Sequence, residues 1–327
     1  MSSLTRLRRR ILTPDVGQTK LSTRGFHLKN EQARERLETV GSSFVHGFGA
    51  AAEANGPAAA APSVEATPAE YRGFAYEGAA MGFAIRDALP GRPRHVARFL
   101  ADHDEHVYMA YVGVGWAMAR LPRLLWPRLY APDPLLRWLV LDGYGFHEAY
   151  FRTDRYVRQR WRPSTFAWPA DGPRDYSLRV IDQGIGRACW FVAGTDPEQL
   201  VRLFDAFPAD RRRDLYAGAG LAVCYAGGAS ERELTWLAEC AGTYRPDLAQ
   251  GASFGAAARL RADLVTPHNE LATRVLCGMT VSDATRVTDE ARVGLPPDDV
   301  LPAYEVWRQR IRSAFDPSPA TRKLSEQ

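Results

Sequence analysis

The sequence predicts an all-α protein of about seven helix–turn–helix repeats of roughly 30–40 residues, stacked as a solenoid or closed into an α/α bundle. Three observations carry this. Glycine-centred segments recur at intervals of 27 to 41 residues, the period of helical hairpins that bury their apolar faces only against one another. Strand signals are weak, with few β-branched alternating runs and no Asn-Gly or Asp-Gly hairpin between two of them. Finally, 46% hydrophobic residues over 327 positions supply ample core and exclude a disordered chain.

Residues 1–29 read as a polar, basic N-terminal arm. The arginine run up to Arg10 is followed by no apolar stretch, so no working signal peptide is expected. Residues 30–54 read as a helix, with Asn30 as N-cap and Glu31 in the first turn, and Val40-Gly41 as a degenerate first repeat. Residues 55–67, rich in Ala and Pro, read as a linker. The repeat domain is expected at 68–292, followed by a short helix over Leu301–Phe315 and a polar end that frays, together 293–327.

The repeats centre on Glu77-Gly78, Val112-Gly113, Asp142-Gly143, Gln183-Gly184, Ala217-Gly218, Gln250-Gly251 and Cys277-Gly278. Each is expected to pair a shorter helix, such as Pro197–Phe207, with a glycine-bearing one, such as Arg211–Ala226. Two mid-helix glycines cost about 2 kcal/mol per helix relative to alanine. Close helix-on-helix approach is the physical candidate to offset that cost; glycine loops are the alternative.

Stacking sets equivalent positions side by side, so the residues before the first glycines should form a row: Glu77, Val112, Asp142, Gln183, Ala217, Gln250 and Cys277. Positions four and seven further on share that face. They are Met81 and Ala84, Trp116 and Ala119, Phe146 and Ala149, Arg187 and Trp190, Leu221 and Cys224, Phe254 and Ala257. An apolar face with a few placed polar groups describes a ligand groove; interhelical hydrogen bonds that fix register would use the same residues.

Within Leu141–Tyr150 (LDGYGFHEAY), His147 lies between Asp142 and Glu148, an arrangement suited to proton transfer, or to a bond with a neighbouring helix. Arg187 suits a carboxylate or phosphate, and equally an acid on the adjacent helix. The GxGR at Gly184–Arg187 lacks the third glycine and the βαβ setting of a dinucleotide site. Asp102–His106 (DHDEH) has formal metal ligands, but acids are expected at a helix start, and no metal is assigned. His268 sits in a helix entrance capped by Thr266.

The net charge of +4 is too small for a nucleic-acid footprint, and 39 of the 42 basic residues are arginine. No segment approaches the ~20 apolar residues of a membrane span. The four cysteines are dispersed at core-like helical positions and read as inert reduced thiols of a cytoplasmic protein.

The strings at 71–80 (YRGFAYEGAA), 141–148 (LDGYGFHE), 182–187 (DQGIGR), 217–222 (AGAGLA), 244–251 (YRPDLAQG) and 267–272 (PHNELA) resemble the UnbL-type family. This is a family of unknown function whose genes accompany the iterative polyketide synthases of enediyne biosynthesis. The resemblance covers roughly residues 25–292. It implies an actinobacterial cytoplasmic protein working on or near a linear conjugated polyene or its polyyne descendants, alongside the polyketide synthase or other pathway enzymes. It brings no catalytic assignment, and no cofactor-binding motif is visible. The expectation is therefore an enzyme or enzyme subunit with Glu77, Asp142, His147 and Glu148 handling protons. Gln183 and Arg187 would orient the substrate, and Trp116, Phe146, Trp190, Gln250 and Phe254 would contact it. The rival expectations are a non-catalytic carrier or scaffold that shields the polyene and docks partner enzymes, and a structural protein without a small-molecule ligand.

Overall fold

A computed structural model describes residues 3–91, 94–169 and 172–316, and every regular element among them is helical. The first half contains α1 (Ser3–Leu12), α2 (Leu21–Arg24), α3 (Glu31–Glu53), α4 (Pro57–Glu65), α5 (Ala69–Ala88), α6 (His95–Asp102), α7 (Val107–Arg120) and α8 (Leu139–Phe151). The second half contains α9 (Arg174–Val192), α10 (Pro197–Asp205), α11 (Ala209–Ala226), α12 (Glu231–Cys240), α13 (Arg245–Arg261), α14 (Pro267–Leu276), α15 (Val281–Arg292) and α16 (Ala303–Ala314). Helices α3, α5, α7, α8, α9, α11 and α13 form an inner row, each packed on the next.

Glycine explains the row. A Cβ on Gly113, Gly143, Gly184, Gly218 or Gly251 would overlap the carbonyl oxygen of Glu77, Val112, Asp142, Gln183 or Ala217 respectively. Each of those is the residue before the first glycine of the preceding inner helix. A Cβ on Gly115, Gly145, Gly186 or Gly220 would overlap the carbonyl oxygen of Val140, Ile181, Leu215 or Leu248, on the following helix. In α7, α8, α9 and α11 the first glycine thus faces backward along the row and the second forward, whereas Gly82 of α5 and Gly255 of α13 also face backward. Backbone meets backbone, and the dispersion and Cα–H···O attraction at these seams offsets the helix-propensity cost.

The row curls until its ends meet. Arg259 on α13 donates to the carbonyl of Glu70 on α5 (2.9 Å) and to that of Tyr225 on α11 (2.7 Å). Arg36 on α3 donates to the carbonyl of Ala226 on α11 (3.1 Å). Among the two expected arrangements, these contacts describe the closed one. Helices α4 and α6 pack together outside the row, as do α10, α12 and α14 in succession.

Several boundaries differ from expectation. The 1–29 arm contains α1 and α2 and sends Leu21 and Phe26 into the core. It is held because Arg8 donates to the carbonyls of Glu53 and Ala54, orphan acceptors at the end of α3. The Asn30 side chain caps α3 as expected, accepting from the N–H of Ala33. The repeat register there is shifted, however: Gly47, not Gly41, meets the next inner helix, at the carbonyl of Ala75. The 55–67 linker is corrected to a helix. Pro57 occupies the first turn of α4, where no hydrogen bond is lost, and Ala60 and Val64 are buried.

The helical hairpin recurs less regularly than expected, because the segments leading into α8 and α9 hold 3-10 and π turns rather than an outer α-helix. Prolines at 122, 127, 132 and 134, and again at 163, 169 and 173, account for this. Cys277-Gly278 is not a repeat centre but the turn after α14, with Gly278 at φ 72°. The C-terminal helix is no appendage, since Tyr304, Trp307, Arg308 and Ile311 of α16 are buried. The end expected to fray lies, from residue 317, outside the described residues.

Candidate functional site

The inner row surrounds an apolar chamber of about 880 Å³, part of it open to solvent. Its lining is drawn from α3, α5, α7, α8, α9 and α11. Met81, Trp116, Phe146, Arg187 and Leu221 all line it, and these are the positions four residues after the row. The fall of 3.6 residues per turn explains why: each sits one turn beyond a residue whose carbonyl touches the next helix. Polar residues Asp15, Gln18 and Arg120 complete the lining, and Asp15 and Arg120 are exposed, which places the opening near the N-terminal segment.

Two charged groups, Glu77 and Arg187, face the interior of this chamber. The Arg187 guanidinium lies 3.0 Å from Asp142 Oδ1 and 3.8 Å from Glu77 Oε1. Gln183 Nε2 donates to the second Asp142 oxygen at 2.7 Å. Burial pushes the Glu77 carboxyl up to about 7; Arg187 opposes the rise and Asp142 reinforces it. Asp142 is also raised by burial, against the pull of Arg187 and Gln183. Two carboxylates beside one guanidinium cannot both be neutralised by it, so one of the two tends to keep a proton.

A second chamber of about 480 Å³ lies on the other side of Arg187, lined among others by Phe254, Ala257, Ala258 and Trp307. The Tyr225 hydroxyl, on a residue lining both chambers, has no hydrogen-bond partner among the described residues. Gly73 makes room for it, since a Cβ there would overlap the hydroxyl.

The structure gathers Glu77, Asp142, Gln183 and Arg187, and sets Trp116 and Phe146 around them. Phe254 lines the second chamber beside Arg187, while the other expected residues, His147, Glu148, Trp190 and Gln250, are engaged elsewhere. His147 and Glu148 line neither chamber. Glu148 instead takes an ion pair from Arg152 at 2.9 Å, and burial pushes the His147 imidazole below its ordinary range despite Glu148 3.4 Å away. Trp190 is fully buried and donates to the carbonyl of Gly227 at 2.9 Å. Gln250 accepts from Arg308 at 3.3 Å.

Sequence reasoning missed what α16 contributes. Arg308 pairs with Asp214 (2.9 Å) and Glu305 (3.2 Å), Arg179 pairs with both acids, and the Tyr176 hydroxyl donates to Glu305 at 2.8 Å. The Tyr304 hydroxyl receives Gln183 Nε2 at 3.2 Å, joining α16 to the site. The available signal was the spacing of Tyr304 and Arg308, one helical turn apart on one face. Cys189 and Cys224 are buried, but Cys240 is exposed, so core placement does not hold for all four. Among the described residues, no group of three His, Cys, Asp or Glu side chains is placed to hold a metal ion, and no helix is long and apolar enough to cross a membrane.

Fold and site together define a closed all-helical protein whose glycine-contacted inner helices enclose paired apolar chambers around a buried carboxylate–guanidinium cluster. The chain belongs to the family described as "Protein of unknown function (DUF1702)", whose model matches residues 3–315. No curated protein and no solved structure matches it.

Proposed function

We propose that the protein binds a linear conjugated polyene or polyyne intermediate of enediyne biosynthesis in the apolar chambers, in the cytoplasm, and handles protons on it through Glu77. The observation that supports this reading most is Glu77 itself. It is a carboxyl group 4% exposed, lining an aromatic chamber, with its pKa raised to about 7 so that it both gives and takes a proton near neutrality. Asp142, Gln183 and Arg187 hold one another and fix the geometry around Glu77. That mutual engagement favours a second reading, a carrier that shields the chain for the polyketide synthase or another pathway enzyme.

The test is the absorption spectrum of a synthetic all-trans polyene, in excess over the protein and followed over time. Band loss beyond one equivalent, abolished by Glu77→Gln, supports the enzyme. A stoichiometric shift that persists in Glu77→Gln and Asp142→Asn supports the carrier. No shift in the wild type removes both.

A further inference from the structure

The two chambers are neighbours with a common partition. Met109, Arg187, Leu221 and Tyr225 line both. The aliphatic members of this shared lining are a flexible thioether and a leucine. Of the residues lining the second chamber, Arg187 alone is charged, and the Trp307 indole N–H that forms part of its wall is already satisfied by the carbonyl of Thr288 (2.7 Å). A dry apolar void costs stability in proportion to its volume. Elsewhere in this interior, glycines allow backbone contact with nothing wasted. Apart from Arg187 and the hydroxyls of Tyr108 and Tyr225, the lining of the second chamber is apolar, which suits a hydrocarbon segment.

We infer that the two chambers are one binding channel, and that its ligand is a linear apolar chain held at an internal segment beside Glu77 and Arg187, with one arm in each chamber. The inference rests on the functional reading above and adds to it where along the ligand the polar cluster acts and what limits ligand length. The arm in the first chamber runs past the contacting rings of Trp116 and Phe146 toward the polar opening at Asp15 and Arg120. The other arm lies against α13 and α16. Ala257 and Ala258, on the inner face of α13, set how far it extends, and Leu221 and Met109 move aside to pass it. Beyond Arg187 and the hydroxyls of Tyr108 and Tyr225 the inner arm meets only apolar side chains and the engaged Trp307 indole, so the channel favours a hydrocarbon end.

The experiment is a length series of all-trans polyenes titrated against the full chain, read by the band shift, with wild type, Ala257→Leu and Ala258→Leu compared. In the wild type, affinity rises once the chain exceeds the first chamber. Either leucine displaces about two chain carbons from the second chamber, so a long polyene loses about tenfold in affinity while a short one changes by less than about twofold. Retained binding of the short polyene shows that the variant is folded. Equal wild-type affinity for short and long polyenes overturns the inference and leaves the functional reading standing. So does a loss in the variants that ignores length. Failure of every polyene to bind the wild type overturns both.

Discussion

Glu77 sits where a carboxylate is least comfortable, in an aromatic chamber with Asp142 nearby, and its chemistry and its effect on stability share that origin. The folded chain holds a proton at Glu77 up to about pH 7, whereas the unfolded chain releases it near the ordinary 4.5. The folded state therefore binds more protons between these values. Stability from this group is complete below about 4.5 and declines as pH rises to 7, by about 3 kcal/mol. Urea unfolding from pH 4.5 to 8 should show that decline in the wild type and a flatter profile in Glu77→Gln. Arg187 is the counterweight. Arg187→Met leaves Asp142 and Glu77 buried without a cation and should cost about 3–5 kcal/mol at pH 8. The loss should shrink as pH falls, because burial raises both carboxyls and protonation removes the charge that Arg187 offsets; an equal loss at low and high pH would mean that packing, not charge, dominates. These four polar residues were legible in the sequence because repeat stacking aligns Glu77, Asp142 and Gln183, and Arg187 follows Gln183 by one turn. His147 and Glu148 were not, because they lie five and six residues beyond Asp142. That is about 140° and 240° around the helix, which turns them away from the chamber.

At the scale of the helix, contact is decided by what is missing from the side chain. Gly184→Ala would drive a methyl into the carbonyl of Asp142 and force α9 from α8, at a cost of about 3 kcal/mol. Gly49 is equally helical, yet a Cβ there would meet only the Arg9 side chain, at 3.2 Å. Gly49→Ala should instead stabilise by about 0.5–1 kcal/mol through helix propensity. Thermal melting of the two variants reads the contrast directly, and equal effects would refute the contact argument. The recurrence of such glycines made the inner row readable. Helices without them were hidden: α4 carries two prolines, Pro57 and Pro62, which locally signal a linker. Its helicity comes from burying Ala60 and Val64, a tertiary effect that a local pattern does not carry.

Across the whole molecule, α16 ties the closing helices together. Its Arg308 reaches Asp214 on α11 and Gln250 on α13, while Arg179 on α9 reaches Asp214 and Glu305. Arg308→Met should lower stability by about 3 kcal/mol, with the urea midpoint falling and the slope unchanged. A changed slope would show instead that α16 separates from the body before the rest unfolds. This tie was not legible because its partners lie far apart in the chain and share no repeat position with one another. The two-way glycines have a last consequence. The atoms that make the wall and the atoms that line it are different sets: the wall closes through backbone at the glycines, and the lining is side chains hung from positions one turn further on. Exchanging the side chains of Met81, Trp116, Phe146 or Leu221 reshapes the hollow while the backbone contacts at the glycine seams keep their atoms. A protein so built can drift toward new ligands while its architecture stays still.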